Sequence, residues 1–226
     1  MKKLIFIPLI MIAIIAITSC KKSATVFIPA GSLLVANNVT NGGTLTFNSD
    51  NSTISNNGIG QYPLSIGMNQ INLYTAATST VPAVTYYKQP LTITNSDRYS
   101  LFLAGTSLTA IDPVLIKESY INPTDSLCGV RFINLSPNSS PISVNITGQT
   151  NGSEVSSLAY KAYSSFKQYP AKKANASYAF QIKDATTGTT ITSYTLTTPR
   201  FHNVTIVLRG LVGGSPAAGV TLVTHP

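Results

Sequence analysis

Residues 99–105 read Tyr99-Ser100-Leu101-Phe102-Leu103-Ala104-Gly105, and residues 204–210 read Val204-Thr205-Ile206-Val207-Leu208-Arg209-Gly210. Each is a short run of aliphatic, aromatic and β-branched side chains stopped by glycine, the pattern of a strand entering a turn. Further pairs flank these two in the same order. Leu34-Val35-Ala36-Asn37 is matched by Phe132-Ile133-Asn134, with the Asn aligned, and Leu45-Thr46-Phe47-Asn48 by Ile142-Ser143-Val144-Asn145 at the same offset. Gln61-Tyr62-Pro63 is matched by Gln168-Tyr169-Pro170, and both halves close on an apolar strand, Val114-Leu115-Ile116 and Val220-Thr221-Leu222-Val223. The chain therefore reads as a duplication, with loop insertions, mainly before Gln-Tyr-Pro, absorbing a drifting offset.

Between the matches, Val/Ile/Thr/Tyr/Phe runs alternate with Asn, Gly, Ser and Pro clusters. The period of two sets one face of each strand inward and the other toward water. No window offers a long amphipathic helix; the best helical stretch is 155–163. Each half carries seven or eight short strands, with turn residues every 8–12 positions or so, as in immunoglobulin-like sandwiches. The expected fold is all-β: two tandem immunoglobulin-like antiparallel β-sandwich domains, 30–118 and 128–226, joined by a linker at 119–127. There is no Trp and no Cys…Trp…Cys spacing, so the cores are expected to be aliphatic with Tyr and Phe. Tyr86 and Tyr87, adjacent in a strand, are expected on opposite faces.

The composition narrows the function. Only 10% of the 226 residues are charged, against about a quarter in ordinary domains. That excludes a coiled coil, a Glu/Lys-rich bundle and a charged disordered tail. With 7 acids and 2 His, polar enzyme chemistry is thinly staffed.

Lys2 and Lys3 precede an apolar run at 4–17 broken only by Pro8. This is shorter than the roughly 20 residues a membrane-spanning helix needs and reads as a secretory signal peptide, residues 1–19. Ile17-Thr18-Ser19-Cys20 resembles the lipobox of bacterial lipoproteins. The resemblance implies cleavage before Cys20, a diacylglycerol on its thiol, an acyl chain on the new amino terminus, and a lipidated tether at 20–29; several chains make anchoring stable where one does not. No Asp follows Cys20, so the outer membrane is expected, with the face left open. No other cofactor is expected. Cys128 remains as a single thiol and reads as a small buried hydrophobe, since only His202 and His225 exist to activate it.

Arg131-Phe132-Ile133-Asn134-Leu135-Ser136-Pro137-Asn138, then Pro141-Ile142-Ser143-Val144-Asn145-Ile146, Tyr169-Pro170 and the strand at 204–210, resemble the domain-of-unknown-function family numbered 4397. The resemblance is clear in the second half and loose in the first. It implies a secreted or lipid-anchored bacterial envelope protein with β-sandwich domains and no assigned activity. Asn138 and Asn145 stand where that family has acids, and Asn175-Ala176 where it has a Gly in the Pro-to-Tyr turn.

Asp97, Asp112, Glu118, Asp125, Glu154 and Asp184 are scattered and read as turn or surface residues, with no metal expected. No Gly-x-Ser-x-Gly, His-Glu-x-x-His or phosphate loop is present. A candidate ligand surface comprises Tyr160 and Tyr163, which can stack on a sugar or anchor a protein, with Lys172 and Lys173, which suit anionic headgroups or acidic glycans. Asp125-Ser126-Leu127 resembles the O-glycosylation site of some Gram-negative envelope proteins, with Ser126 as acceptor. The expected function is a non-enzymatic outer-membrane lipoprotein, a binding or spacer module for an envelope protein or glycan. A pilus or adhesin subunit assembling by strand donation is the alternative, and a hydrolase with two facing acids a further one. Nucleic acid is not an expected partner, and the oligomeric state is open.

Overall fold

The computed structural model describes residues 30–48, 52–106, 110–124 and 126–226. The signal peptide, Cys20 and the tether lie outside them. The first half forms β1 (Ala30–Asn37), β2 (Leu45–Phe47), β3 (Thr53–Ile54), β4 (Ile59–Ser65), β5 (Gly67–Thr75), β6 (Val84–Ile93), β7 (Arg98–Gly105) and β8 (Ile111–Lys117). The second forms β9 (Leu127–Asn134), β10 (Ile142–Ile146), β11 (Val155–Leu158), β12 (Lys167–Pro170), β13 (Ser177–Asp184), β14 (Thr190–Thr197), β15 (Asn203–Arg209) and β16 (Gly219–His225). The expected helical stretch at 155–163 is instead β11 and a turn. Val155 and the Ser156-Ser157 pair are poor helix formers, and pairing with β10 buries Leu158.

The first half folds into sheets ordered β4-β1-β7-β8 and β3-β2-β5-β6, and the second into β12-β9-β15-β16 and β11-β10-β13-β14. The second pair repeats the first strand for strand. The sheets are antiparallel except that β1 runs parallel to β7, and β9 to β15, in both copies. The aligned Asn residues end β1 and β9 as buried turn anchors. Asn37 donates its amide to the carbonyls of Gly43 (2.9 Å) and Ser55 (3.3 Å), and Asn134 to that of Leu158 (3.1 Å) and to Ser139 Oγ (2.9 Å). The Gln-Tyr-Pro pair is less strict. Tyr62 sits opposite Leu33, but Tyr169 sits opposite Cys128, two positions from the equivalent place. A slip of two preserves the face, so both rings still enter a core.

Three apolar cores result. The first holds Leu33, Val35, Phe47, Leu73, Ile93 and Leu101, with Phe47 stacked on Tyr62 at 3.8 Å. The second holds Val130, Phe132, Val144, Phe180, Leu196 and Ile206. The third lies between the sandwiches: Leu34, Ala36, Phe102, Ala104 and Ile116 pack against Ile133, Leu135, Val207 and Val223. The molecule is thus four sheets deep, and β1, β7, β9 and β15 are buried on both faces. This corrects the expectation of a water-facing side on these strands. Their runs are continuously apolar, as doubly covered strands require. Tyr86 and Tyr87 depart from their expectation too. A β-bulge opposite Leu73 and Tyr74 inserts Tyr86 into the register, and both rings pack on the first core.

Polar ties give the stack its alignment. Asn38 donates to Thr221 Oγ1 (3.2 Å), and Asp112 accepts from Tyr160 (2.9 Å) and Lys161 (3.1 Å), all where β1 and β9 end. At the opposite end Pro226 shares a crevice with Ser32, Leu34 and Tyr99. The starts of β1 and β9 therefore lie at one end of the molecule, the entry end, and the finishes at the distal end.

Candidate binding surface

The four residues read from the sequence as a ligand surface are not brought together. Tyr160 is half-buried between the sandwiches, and burial, then its bond to Asp112, pushes its hydroxyl pKa up. Its hydroxyl is engaged in joining the two sandwiches through Asp112. Tyr163 is exposed beside Ile133, with its ring 5.7 Å from the Arg131 guanidinium. Lys172 and Lys173 are exposed in the turn after β12, at the other end of β9. Strand rise puts about 20 Å between them and Tyr163. Ser126 is half-buried with a left-handed φ of 67°, and its carbonyl takes the Ala171 N–H (2.6 Å). Asp125 and Cys20 lie outside the described residues.

Among the described residues, the acids, His225 and Cys128 are tied into the structure. Glu118 is not a surface residue: its side chain is 1% exposed and accepts both Arg131 terminal nitrogens, at 2.8 and 2.6 Å, with Arg131 at 4%. Arg131 also donates Nε–H to Thr205 Oγ1 (2.9 Å) and lies 4.5 Å from the Phe166 ring centre. With its oxygen accepting from Arg131, Thr205 donates its hydroxyl to His225 Nε2 (2.6 Å), and Nδ1–H of His225 faces the Tyr120 hydroxyl (3.1 Å). Burial, reinforced by Arg131, depresses the His225 pKa to about 3, and burial raises Tyr120 to about 12. Lys117 and the turn at Thr94 hold Asp97 at about 2. Burial works to raise the Glu154 pKa, but hydrogen bonds from Lys167 and Tyr169 lower it on balance. Asp184 caps its own turn by accepting from the N–H groups of Thr186 and Thr187, both 2.8 Å. Cys128 is sealed in the second core, and burial lifts its pKa to about 11. Among the described residues, no three His, Cys, Asp or Glu side chains gather into a metal-binding group.

Three clefts among the described residues bear on binding. One of about 290 Å³ lies over the Glu118–Arg131 pair, beside Tyr163 and Phe166. Another of about 440 Å³ sits at the distal end between Asp184, Thr187, Thr190, Val212 and Ala218. The largest of the three, about 520 Å³, is an open groove on the outer sheet of the first sandwich, lined by Asn48, Gln70, Asn72, Tyr74 and Lys88. Its geometry follows from β5. Ile71 and Leu73 point into the first core, so Gln70, Asn72 and Tyr74 stand in a row on the outer face, about 7 Å apart. Lys88 on β6 is the register partner of Asn72. Asn48 is fixed at one end by a left-handed φ of 50°. Its N–H donates to Asn72 O (2.7 Å) and its Oδ1 accepts the Asn72 N–H (2.8 Å). A row of amides ending in a phenol ring, with an ammonium beside it, offers donors, acceptors and a stacking face at sugar-like spacing. Alternation along 70–74 was the readable trace of this row; what concealed it was that Asn48 and Lys88 join from other strands.

Residues 31–145, just over half the chain, match the family described as Domain of unknown function (DUF4397). The chain belongs to this family. The DUF4397 match covers β1 to β8 and the whole amide row, and runs on through β9 into β10. It therefore centres on the first half, whereas the motifs quoted for the resemblance were clearest in the second. No curated protein matches the chain. The two Asn residues standing where the family has acids act as braces. Asn138 exchanges hydrogen bonds with Val212, both 2.9 Å, and buried Asn145 bonds Gln181 (3.1 Å).

Proposed function

We propose that this DUF4397 protein is a non-enzymatic lipoprotein of the bacterial outer membrane, and that the open face of its first sandwich binds a glycan. The amide row of Gln70, Asn72 and Tyr74, flanked by Asn48 and Lys88, carries the reading. It is the described surface where groups able to pair with hydroxyls stand in register beside an aromatic face. The sealing of Cys128 and His225, and the structural partners of Glu118, Glu154 and Asp184, support a binding rather than a chemical role. The lipobox at Cys20 supports the anchor.

Two experiments test the reading. A glycan array followed by calorimetry identifies the sugar. Tyr74→Ala then weakens binding about tenfold, a loss of about 1.4 kcal/mol, with Tm unchanged. An array without hits, or binding indifferent to Tyr74→Ala and Asn72→Ala, overturns it. Metabolic labelling with palmitate, lost in Cys20→Ala, tests the anchor, and protease treatment of intact cells reports which face carries the protein.

A further inference from the structure

Among the described residues, strand directions assign the ends of each strand to one end of the molecule or the other. The eight distal connections, 38–44, 55–58, 76–83, 106–110, 135–141, 159–166, 185–189 and 210–218, contain a single charged residue, Lys161, and it pairs with Asp112. The entry end is different. Ala30 pairs with Ser65, at the hairpin whose tip carries Ile66 (49% exposed) and Met68 (80%). The turn after β12, held to Ser126, carries exposed Lys172 and Lys173. The turn before β15, whose Phe201 N–H bonds Leu127 O (3.0 Å), carries Phe201 (56% exposed) with Arg200 over its ring. Arg98 is exposed at the same end, and Asp97 there is neutralised by Lys117 at 2.9 Å. Of the other acids in the entry-end connections, Glu118 is paired with Arg131 and Glu154 with Lys167, and Asp50 and Asp125 lie outside the described residues.

From this juxtaposition we infer that the entry end docks on the surface of an anionic lipid bilayer. Lys172, Lys173 and Arg200 meet the headgroup phosphates, and Ile66, Met68 and Phe201 enter the interfacial layer. Apolar tips ringed by cations are what an anionic bilayer surface accepts. The distal connections have only Lys161, already paired with Asp112, to offer such headgroups. Residues 20–29 leave from Ala30 at this end and reach at most about 35 Å. The inference rests on the lipoprotein reading only for its setting in the cell; the surface itself stands without the anchor. Docking would stand the molecule on end and leave the outer face of the first sandwich free.

The chain has no Trp, so an introduced one reports alone. Phe201→Trp and, as control at the distal end, Val81→Trp (51% exposed) are placed in the chain from residue 20 carrying Cys20→Ala. Each is mixed with phosphatidylglycerol/phosphatidylethanolamine vesicles containing brominated acyl chains. The expected result is quenching of Trp at 201 and none at 81. Adding Lys172→Glu and Lys173→Glu should lower vesicle binding on the order of tenfold or more, and phosphatidylcholine vesicles should not bind. Equal emission from both Trp variants with and without vesicles overturns the inference. So does binding to a soluble anionic polysaccharide with no quenching by lipid. Because Cys20 is absent from this chain, a failed acylation reading leaves the result intact, and mass spectrometry of the native amino terminus reads acylation separately.

Discussion

His225 is sealed between Thr205 and Tyr120, and folding holds its imidazole neutral. Unfolded, it takes a proton below about 6.5; folded, only below about 3. Between these values the unfolded state binds more protons, so stability falls as pH falls, by up to about 1.4 kcal/mol per unit. The carboxylates of Asp97 and Glu154 are depressed, so their contribution is present above the ordinary carboxylate range and is lost only at lower pH. The window from pH 6.5 to 4.5 therefore belongs to His225. Calorimetry should show Tm dropping across it, and His225→Gln should flatten that slope; an unchanged slope would refute the assignment. Glu118 makes a second prediction. Glu118→Ala strands a buried guanidinium and should cost about 3–5 kcal/mol in urea titrations, while Glu118→Leu with Arg131→Met should recover most of it.

At the scale of elements, β7 shows how one strand serves two cores. Leu101 and Leu103 enter the first sandwich, while Phe102 and Ala104 enter the layer between the sandwiches. Phe102→Ala should therefore destabilise by about 3–5 kcal/mol, as much as a deletion inside either sandwich, although it touches only the layer between them. A loss under about 1 kcal/mol would mean the two sandwiches part easily. The strand's stop is equally determined. Gly105 and its repeat Gly210 have φ of 119° and 80°, and a Cβ on Gly210 would lie 2.5 Å from Ala217 O. The glycine ending each quoted stretch is thus required by the turn. These matches were legible because strand, glycine and buried Asn are local demands. The slipped Gln-Tyr-Pro and the Tyr86 bulge were not, because register is set by the partner strand.

Taken whole, the molecule is two copies of one eight-stranded sandwich fused through a shared apolar layer. Scanning calorimetry should show one endotherm rather than two, since neither sandwich can unfold without exposing its neighbour's face. Residues 20–118 expressed alone should expose Leu34, Phe102 and Ile116 and should aggregate or melt well below the full chain; a soluble half with the full chain's Tm would contradict this.

Much of this was already fixed in one dimension. The all-β class, the duplication, the stop at Gly105 and Gly210 and the burial of Cys128 follow from side-chain chemistry acting within a few residues. Tertiary structure alone decided three things. It turned Glu118 and Tyr160 from surface candidates into joints, because their partners come from the other half of the chain. It parted Tyr163 from Lys172 and Lys173, because an intervening strand sets their distance. It assembled Asn48, Gln70, Asn72, Tyr74 and Lys88 into one groove, because strands distant in sequence become neighbours only through hydrogen-bonded register.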